Sequence, residues 1–315
     1  MTLVQVRSAV RADLDQIDPG GWVVAACSGG ADSMAMTSSL VLEAPARAIR
    51  VAVLTVDHGL QAGSADRAAR LVADLEGKVD HAEVLAVKVD GRGGPEAAAR
   101  TARYAALDQA ADRLGAVAIY LGHTAGDQAE NVLLGLARGS GARSLAGMAA
   151  VSGRYRRPML WLERDLVRRA GSENHFGITP WDDPHNEDPR FLRSRVRTRV
   201  LPILEEELGP GIEAALARTA RLLREDADAL DALAAAAVRL EGGALDISAL
   251  ARLSRAIRAR VILSFARQTG LPALSAEHVD RVDALIADWR GQGAVALPGG
   301  AKLRREGMQL IIDSH

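Results

Sequence analysis

Residues 22–33 read WVVAACSGGADS. The apolar run 22–27 stops at Ser28-Gly29-Gly30, Asp32 and Ser33 follow, and residues 34–42 are again rich in apolar side chains. This order predicts a strand, a tight glycine turn and a helix. Two adjacent glycines let the backbone approach a ligand with no Cβ in the way. The helix behind them turns its unpaired N–H groups and the positive end of its dipole toward the loop, which favours an anion there, phosphate above all. The loop is not a GxxxxGK[ST] nucleotide loop, because no lysine stands beside the glycines. Without a ligand, the same residues would be a plain strand-to-helix turn with Asp32 and Ser33 as helix caps. Cys27 reads as a small buried apolar residue.

On either side of this stretch the pattern alternates. Residues 3–17 place Val6, Val10, Leu14 and Ile17 at helical spacing. Residues 51–56 predict a second strand ending in Asp57-His58-Gly59-Leu60, and 64–76 a helix opened by a serine cap. Residues 81–89 predict a third strand, 91–95 a loop, 96–114 a helix, 116–121 a fourth strand ending in Gly122-His123, and 127–136 a further helix. Strands alternating with helices predict an α/β, doubly wound parallel sheet with right-handed crossovers. In the order 3-2-1-4-5 the first and fourth strands are neighbours at the switch point, so their carboxyl-end loops face one crevice. That brings residues 28–33, the Asp57-His58 pair and residues 123–130 to one site.

Each cluster has a plain reading and a chemical one. Asp127, Glu130 and Asn131 fall on one face at the start of a helix. They are either acids complementing a helix dipole or a site for a cation, Mg²⁺ with ATP phosphates or an amine. Glu96, Arg100 and Arg103 are either a surface ion-pair ladder, about 0.3–0.5 kcal/mol per pair, or arginines aimed at phosphate charge. Asp57-His58-Gly59 alone is as readily a turn as a site. Convergence beside one glycine loop favours the chemical readings together.

Composition narrows the class. The chain of 315 residues is long enough for two domains, and 48% hydrophobic with 25% charged residues is globular. A net charge of −1 gives no global nucleic-acid signature, and 3% aromatics advertise no broad base-stacking surface. A single cysteine allows no disulfide framework, zinc cluster or CxxC pair. The charged N-terminus does not read as a signal peptide and no apolar run reaches a membrane span, so a cytoplasmic protein is expected. Residues 154–199 hold eleven arginines against seven acids, a local +4. There, 191–204 predict a helix with Leu192, Val196 and Val200 on one stripe and Arg193, Arg195, Arg197 and Arg199 beside it.

In order, SGGADS, VDHGL, EAAARTARY, GHTAGDQAENVLLGLARGSG, RPML and DDPHNEDPRFLRSRVRTRVLPIL resemble the bacterial tRNA(Ile)-lysidine synthases over residues 22–204. The loop by itself is similar to the SGGxDS pyrophosphate loop of ATP-pyrophosphatases, and the two long blocks are far more specific. The resemblance implies a PP-loop catalytic domain over 1–208 and a helical tRNA-binding domain over 209–315 that ends in a short β-hairpin around Pro298-Gly299-Gly300. It implies a ligase that adenylates the wobble cytidine of the CAU-anticodon isoleucine tRNA with ATP, releases pyrophosphate, and lets the ε-amine of free L-lysine displace AMP to form lysidine.

By the same resemblance, Ser28, Gly29, Gly30, Ala31, Asp32 and Ser33 bind ATP, with Asp57, His58 and His123 lining the nucleotide pocket. Asp32 and Asp127 are candidates for Mg²⁺. Asp127 and Glu130 are candidates for the lysine ammonium, and Asp32, Arg100, Arg103 and Asp127 for the chemistry. Arg193, Arg195 and Arg197 are expected to contact tRNA phosphates. Family members can dimerise, and a homodimer is an open expectation. The chain looks like a short form of the family, without a further C-terminal domain, and its helices are expected at 212–240, 248–269 and 276–288. It departs from the family in having Gly126-Asp127 where two adjacent acids are frequent. Two alternatives stay open on sequence alone. A tRNA thiolase is disfavoured because such enzymes rely on cysteines and this chain has only Cys27. A non-catalytic nucleotide- or RNA-binding homologue would have Gly126 as its lesion.

Overall fold

In a computed structural model of the chain, residues 2–59, 61, 63–89, 95–139, 141–237 and 244–313 are described. Helix α1 (Thr2–Leu14) buries Val6, Val10 and Leu14, as their spacing requires. Then follow β1 (Trp22–Ala26), α2 (Ala31–Glu43), β2 (Arg50–Asp57), α3 (Ser64–Leu75), β3 (His81–Ala86), α4 (Pro95–Leu114), β4 (Ala116–Leu121) and α5 (Ala125–Ala137). Short α6 (Ala142–Leu145), β5 (Val151–Ser152) and β6 (Tyr155–Arg156) lead to α7 (Arg164–Ser172). The expected loop at 91–95 lies outside the described residues, apart from Pro95, where α4 begins.

The sheet order is β3-β2-β1-β4-β6-β5, parallel throughout except for the antiparallel edge pair β5–β6. The order expected for the first four strands is therefore present, and β6 takes the fifth place. Alternate residues serve opposite faces, as the strand pleat dictates. Val23, Ala25, Val51, Val53, Ala118 and Tyr120 pack with α1, α2 and α7, whereas Val24, Ala52, Leu54, Ile119 and Leu121 pack on Leu107, Ala110 and Ala111 of α4. Helices thus cover both faces, which is why these strands read as nearly continuous apolar runs.

Local chemistry departs from the expected pattern in three places. Ser64 does not cap α3: Gly63 is the cap residue, and the Ser64 hydroxyl hydrogen-bonds Asp57 instead. The helix expected over 191–204 runs as α8 (Leu192–Arg195), a π-helical turn Val196–Val200 and α9 (Leu201–Leu208). Pro202 has no N–H to return to the carbonyl four residues back, and the Leu201 N–H bonds the Val196 carbonyl five residues back. This widening puts Val196 and Leu201 on one buried face and leaves Leu192 and Val200 exposed. The third departure is the 248–269 stretch, which breaks at Leu253-Ser254 into two helices.

The remaining elements are α10 (Ile212–Ala237), β7 (Ala244–Asp246), α11 (Ile247–Ala251), α12 (Arg255–Gln268), α13 (Ala276–Ala287), β8 (Val295–Ala296), β9 (Lys302–Glu306) and β10 (Gln309–Asp313). Beyond Ala237, the expected end of the 212–240 helix lies outside the described residues. The chain divides into two compact units, Met1–Leu222 and Leu223–His315. Gly209 and Gly211 break the helix where expected, both at positive φ, but Leu216 of α10 still packs with Ala129, Leu134, Val196 and Leu201, so the division falls inside α10. In the second unit the hairpin around Pro298-Gly299-Gly300 is part of a four-stranded antiparallel sheet, β7-β10-β9-β8, packed through Leu245, Leu303 and Leu310 against Val261, Phe265, Val282 and Leu285.

Candidate active site

The register pairs Ala26 with Leu121, so the loops leaving β1 and β4 start side by side. Contact is close enough that a Cβ on Gly122 would lie 3.0 Å from the Ser33 amide nitrogen and 3.1 Å from the Asp32 carbonyl. The glycine turn has Gly29 at φ 82°, and Gly30 precedes α2 with extended backbone. Ser33 is turned inward rather than left for a ligand. Its Oγ donates to the Gly30 carbonyl at 2.9 Å and accepts from the Ser28 amide at 3.2 Å, closing the loop on itself. Cys27 is buried beneath it, as expected of a small apolar residue.

Asp32 is the part-buried chemical group of this loop. Burial, and then the nearby Asp127, push its carboxyl up to about 6, against the pull of Arg164, Arg168 and Arg197, and its Oδ1 is buried with no hydrogen-bond partner in the protein. A carboxylate with a free buried oxygen suits Mg²⁺ carried on nucleotide phosphates, which needs only one or two carboxylates from the protein. Since the ionised form is required, nucleotide binding to the free protein is expected to strengthen as pH rises through about 6. Calorimetric titration with ATP between about pH 5 and 8 checks this; an affinity independent of pH would contradict it.

Asp127 is engaged differently. It is the N3 residue of a capping box on α5: Oδ2 accepts from the Thr124 amide at 2.8 Å and from the Thr124 hydroxyl at 3.2 Å. Its Oδ1 faces Arg197 at 3.5 Å and Arg164 at 3.8 Å. Burial raises its carboxyl, but Arg164, the Thr124 amide and Arg197 outweigh it and hold the group down, with His123 adding to them only when its ring is protonated. No group of three or more His, Cys, Asp or Glu suited to a metal occurs among the described residues. Asp127 has partners for both oxygens, whereas Asp32 keeps one without a partner.

Glu130, one turn on, has a fully buried side chain. Its Oε1 accepts from Arg164 Nη2 and from Arg197 Nε, both at 2.7 Å, whereas Oε2 is buried without a partner. Gly126 makes this cluster possible: a Cβ there would lie 2.5 Å from Arg164 Nη2 and 2.6 Å from its Cζ. Where two adjacent acids are frequent in the family, this chain has placed a guanidinium.

Arg103 is half-buried, its Nε has no partner, and burial lowers its proton affinity. Arg100 is exposed, with Nη2 donating to the Tyr104 hydroxyl at 3.2 Å. Nothing is described of the Glu96 side chain. His58 is held neutral first by burial and then by Arg103, and its Nδ1 is buried without a partner. His123 is also held neutral by burial, and its Nδ1 accepts from Arg157 Nε at 3.2 Å, which leaves the proton on Nε2. Asp57 is lowered first by the Ser64 hydrogen bond and then by the Gly59 amide at 2.9 Å, so it braces its own loop.

The arginines expected to face tRNA have partners inside the protein. Arg193 Nη2 donates to Asn131 Oδ1 at 2.8 Å, Arg195 Nη1 to the Pro189 carbonyl at 2.7 Å, and Arg197 binds the two acids. Arg199 is exposed. Arg164 and Arg157 were given no role from sequence; Arg164 had no signal beyond the basic middle, whereas Arg157 opens the RPML block. Nor was Gln61 given a role, and its Nε2 lies 2.9 Å from Asp183 Oδ1 and 2.8 Å from His185 Nδ1.

A glycine turn at the end of the central strand of a 3-2-1-4 parallel sheet, with a buried acid opening the next helix, defines a PP-loop protein. Residues 5–204 match the PP-loop domain family, and residues 245–311 match the TilS substrate binding domain. Over 98% of its length the chain is 52% identical to a tRNA(Ile)-lysidine synthase of Thermobifida fusca, of which 97% is covered. It is 54% identical to one of Streptomyces coelicolor, with 92% of this chain and 84% of the relative covered. The U34-tRNA thiolase NcsA of Methanococcus maripaludis superposes with a TM-score of 0.57 at 19% identity, covering 71% of this chain and 80% of that one, a likeness of fold. The chain belongs to the tRNA(Ile)-lysidine synthase family, ligases that use ATP to modify tRNA. The thiolase alternative is not favoured. No helix among the described residues is long and apolar enough to cross a membrane.

Proposed function

We propose that this chain, working in the cytoplasm, joins free L-lysine to the wobble cytidine of the CAU-anticodon isoleucine tRNA, and that the crevice between the β1 and β4 loops carries both steps. One observation supports the reading most. Of the buried side-chain atoms without a partner among the described residues, two acceptors, Asp32 Oδ1 and Glu130 Oε2, and the donor Arg103 Nε, together with His58 Nδ1, belong to this one crevice. Buried polar atoms are rarely left unpaired in a folded protein. Acceptors and a cationic donor left unpaired suit a ligand set that brings cations, Mg²⁺ and an ammonium, together with phosphate.

In the first step the cytosine carbon-2 oxygen attacks the α-phosphate of ATP and pyrophosphate leaves. The N–H groups at the start of α2 cradle the phosphates, Asp32 would hold the Mg²⁺ carried on them, and Arg100 and Arg103 offset charge at the reacting phosphate. Magnesium, when bound, neutralises charge on the leaving pyrophosphate. Neutral His58 and His123 line the pocket without adding charge. In the second step the lysine ε-amine, after losing its proton, attacks carbon-2 and AMP leaves. Glu130 and Asp127 hold the ammonium beforehand, dividing their carboxylate charge between it and the guanidinium groups of Arg164 and Arg197.

Asp127→Asn keeps an oxygen that can accept from Thr124 but removes the charge. It is expected to raise KM for lysine by roughly tenfold or more, with KM for ATP changed much less. Equal changes in both would return Asp127 to a purely structural cap. For tRNA, neutralising Arg199 is expected to weaken binding and reduce the salt slope by about 1. The same change at Arg197 should act first on lysine use, because that side chain is held by Glu130. ATP–pyrophosphate exchange tests the reading of the first step: it should require tRNA, and should be lost when the wobble cytidine is replaced by uridine. Exchange without tRNA would overturn it.

A further inference from the structure

The end of α7 and the segment that follows it lie against the glycine loop and the start of α2. Gly171 meets α2 backbone to backbone: a Cβ there would lie 2.0 Å from the Ala31 carbonyl oxygen and 2.6 Å from its carbon. Asn174, buried, ties the segment to itself, donating to the Gly171 and Ile178 carbonyls at 2.7 Å each and accepting from the Ile178 amide at 3.3 Å. His175 is fastened to Ser38 of α2 through its amide at 3.2 Å and Nδ1 at 2.8 Å. Pro180 then stiffens the backbone into Trp181, whose amide donates to the Gly29 carbonyl at 2.9 Å. The Trp181 carbonyl lies 3.7 Å from the place a Gly30 Cβ would take, so the segment is in van der Waals contact with the loop.

This hydrogen bond has a directional consequence. In a planar peptide the carbonyl and the next N–H point in opposite directions. The Trp181 amide holds the Gly29 carbonyl toward this segment, so the Gly30 N–H points away from it, to the side on which the ATP-site reading puts the phosphates. Gly29 sits at φ 82°, where a glycine linkage is free to rotate unless something holds it. We propose that Gly171, Asn174 and the Trp181 backbone amide are positioning residues for the pyrophosphate loop, setting the Gly29–Gly30 peptide so that its N–H is ready for the nucleotide. This rests on the ATP-site reading above. It assigns to the backbone a role that the Trp181 ring does not share, since the ring lies against Arg67, with the guanidinium carbon 4.3 Å from its centroid.

The test compares Trp181→Pro, which deletes the amide donor, with Trp181→Ala, which deletes only the ring. Steady-state kinetics, tRNA affinity and thermal midpoint are measured for each. Trp181→Pro is expected to raise KM for ATP about tenfold or more, the loss of one well-oriented hydrogen bond to a charged ligand, with tRNA affinity within about twofold. Trp181→Ala should move KM for ATP by less than about threefold. Gly171→Ala, which pushes on the Ala31 carbonyl from the same side, should reproduce the proline pattern and stands in if the proline variant does not fold. Equal effects of proline and alanine at 181, or an unchanged KM for ATP in both Trp181→Pro and Gly171→Ala, would overturn the inference. Asp32→Ala, run alongside, separates the two claims: if it leaves AMP formation intact, the ATP-site reading has failed; if it abolishes AMP formation while the strap variants are silent, only the positioning role has failed.

Discussion

Asp32→Ala is expected to lower lysine-dependent AMP formation by about 10³-fold or more while tRNA binding stays close to that of the unaltered protein. The expectation follows from position. Asp32 lies in the first turn of α2, directly behind the glycines, with one oxygen buried and unpartnered, and with Asp127 close enough to raise its pKa. A protein that needed this carboxyl only as a cap would give it a backbone partner, as Thr124 and Asp127 give each other.

Asp32 also carries a stability signature. Its folded pKa, about 6, lies above the 3.8 of a solvated aspartate, so the folded state binds the proton more tightly than the unfolded chain does. Below both values the group is neutral in both states and costs nothing. As pH rises through the window between them, the folded state loses up to about 3 kcal/mol. Asp32→Asn removes that loss, so at about pH 7.5 the inactive variant should melt several degrees higher than the unaltered protein, with the gap closing toward about pH 4. An equal or lower midpoint at neutral pH would mean that Asp32 is not held against its solvation, and would weaken its assignment as a ligand for a cation.

The second large effect is expected at Arg164. Its guanidinium fills the space over Gly126, donates to the fully buried Glu130 and faces Asp127. Arg164→Ala leaves Glu130 Oε1 with Arg197 alone, next to an oxygen that already lacks a partner. Removing one partner from a buried ion pair typically costs about 3–5 kcal/mol. Arg197 remains, so about 3 kcal/mol is the expected loss, measured by denaturant unfolding. Combining Arg164→Ala with Glu130→Gln should recover most of that stability, because the uncompensated charge is gone, but not lysine use. If the double variant is as unstable as the single one, Arg164 acts by packing over Gly126 and not by charge. At Gly126, the space a side chain would take is filled by Arg164, which with Arg197 pairs to Glu130.

The sheet was legible because its signals are local and strong. The run 22–27, the pair Gly29-Gly30 and the strand 116–121 each have one economical reading, and the rule for parallel order then brings residues 28–33 against 122–130, as the closeness of Gly122 to Ser33 shows. Partnership across long separations was not legible. Nothing in the spacing of Arg193, Arg195 and Arg197 says that they bond to Asn131, Pro189 and Glu130 rather than to solvent or phosphate. The π-helical turn was hidden because a 3.6-residue period was assumed across Pro202, and that error put Val200 on the buried stripe in place of Leu201. Ser64 was read as a cap because serine before a helix usually is one, yet Gly63 could take the cap position and free the hydroxyl for Asp57. The strap from Gly171 to Trp181 acts mainly through backbone atoms, which leave no residue-type signature beyond one glycine and one proline.

Incorporation of radiolabelled lysine into a CAU-anticodon isoleucine tRNA transcript, with and without ATP, tests the central claim most directly. Incorporation is expected to require ATP, to release one AMP per lysine, and to disappear when the wobble cytidine is changed. Tight tRNA binding with neither lysine incorporation nor AMP release would contradict it, leaving a nucleic-acid-binding protein on a ligase scaffold.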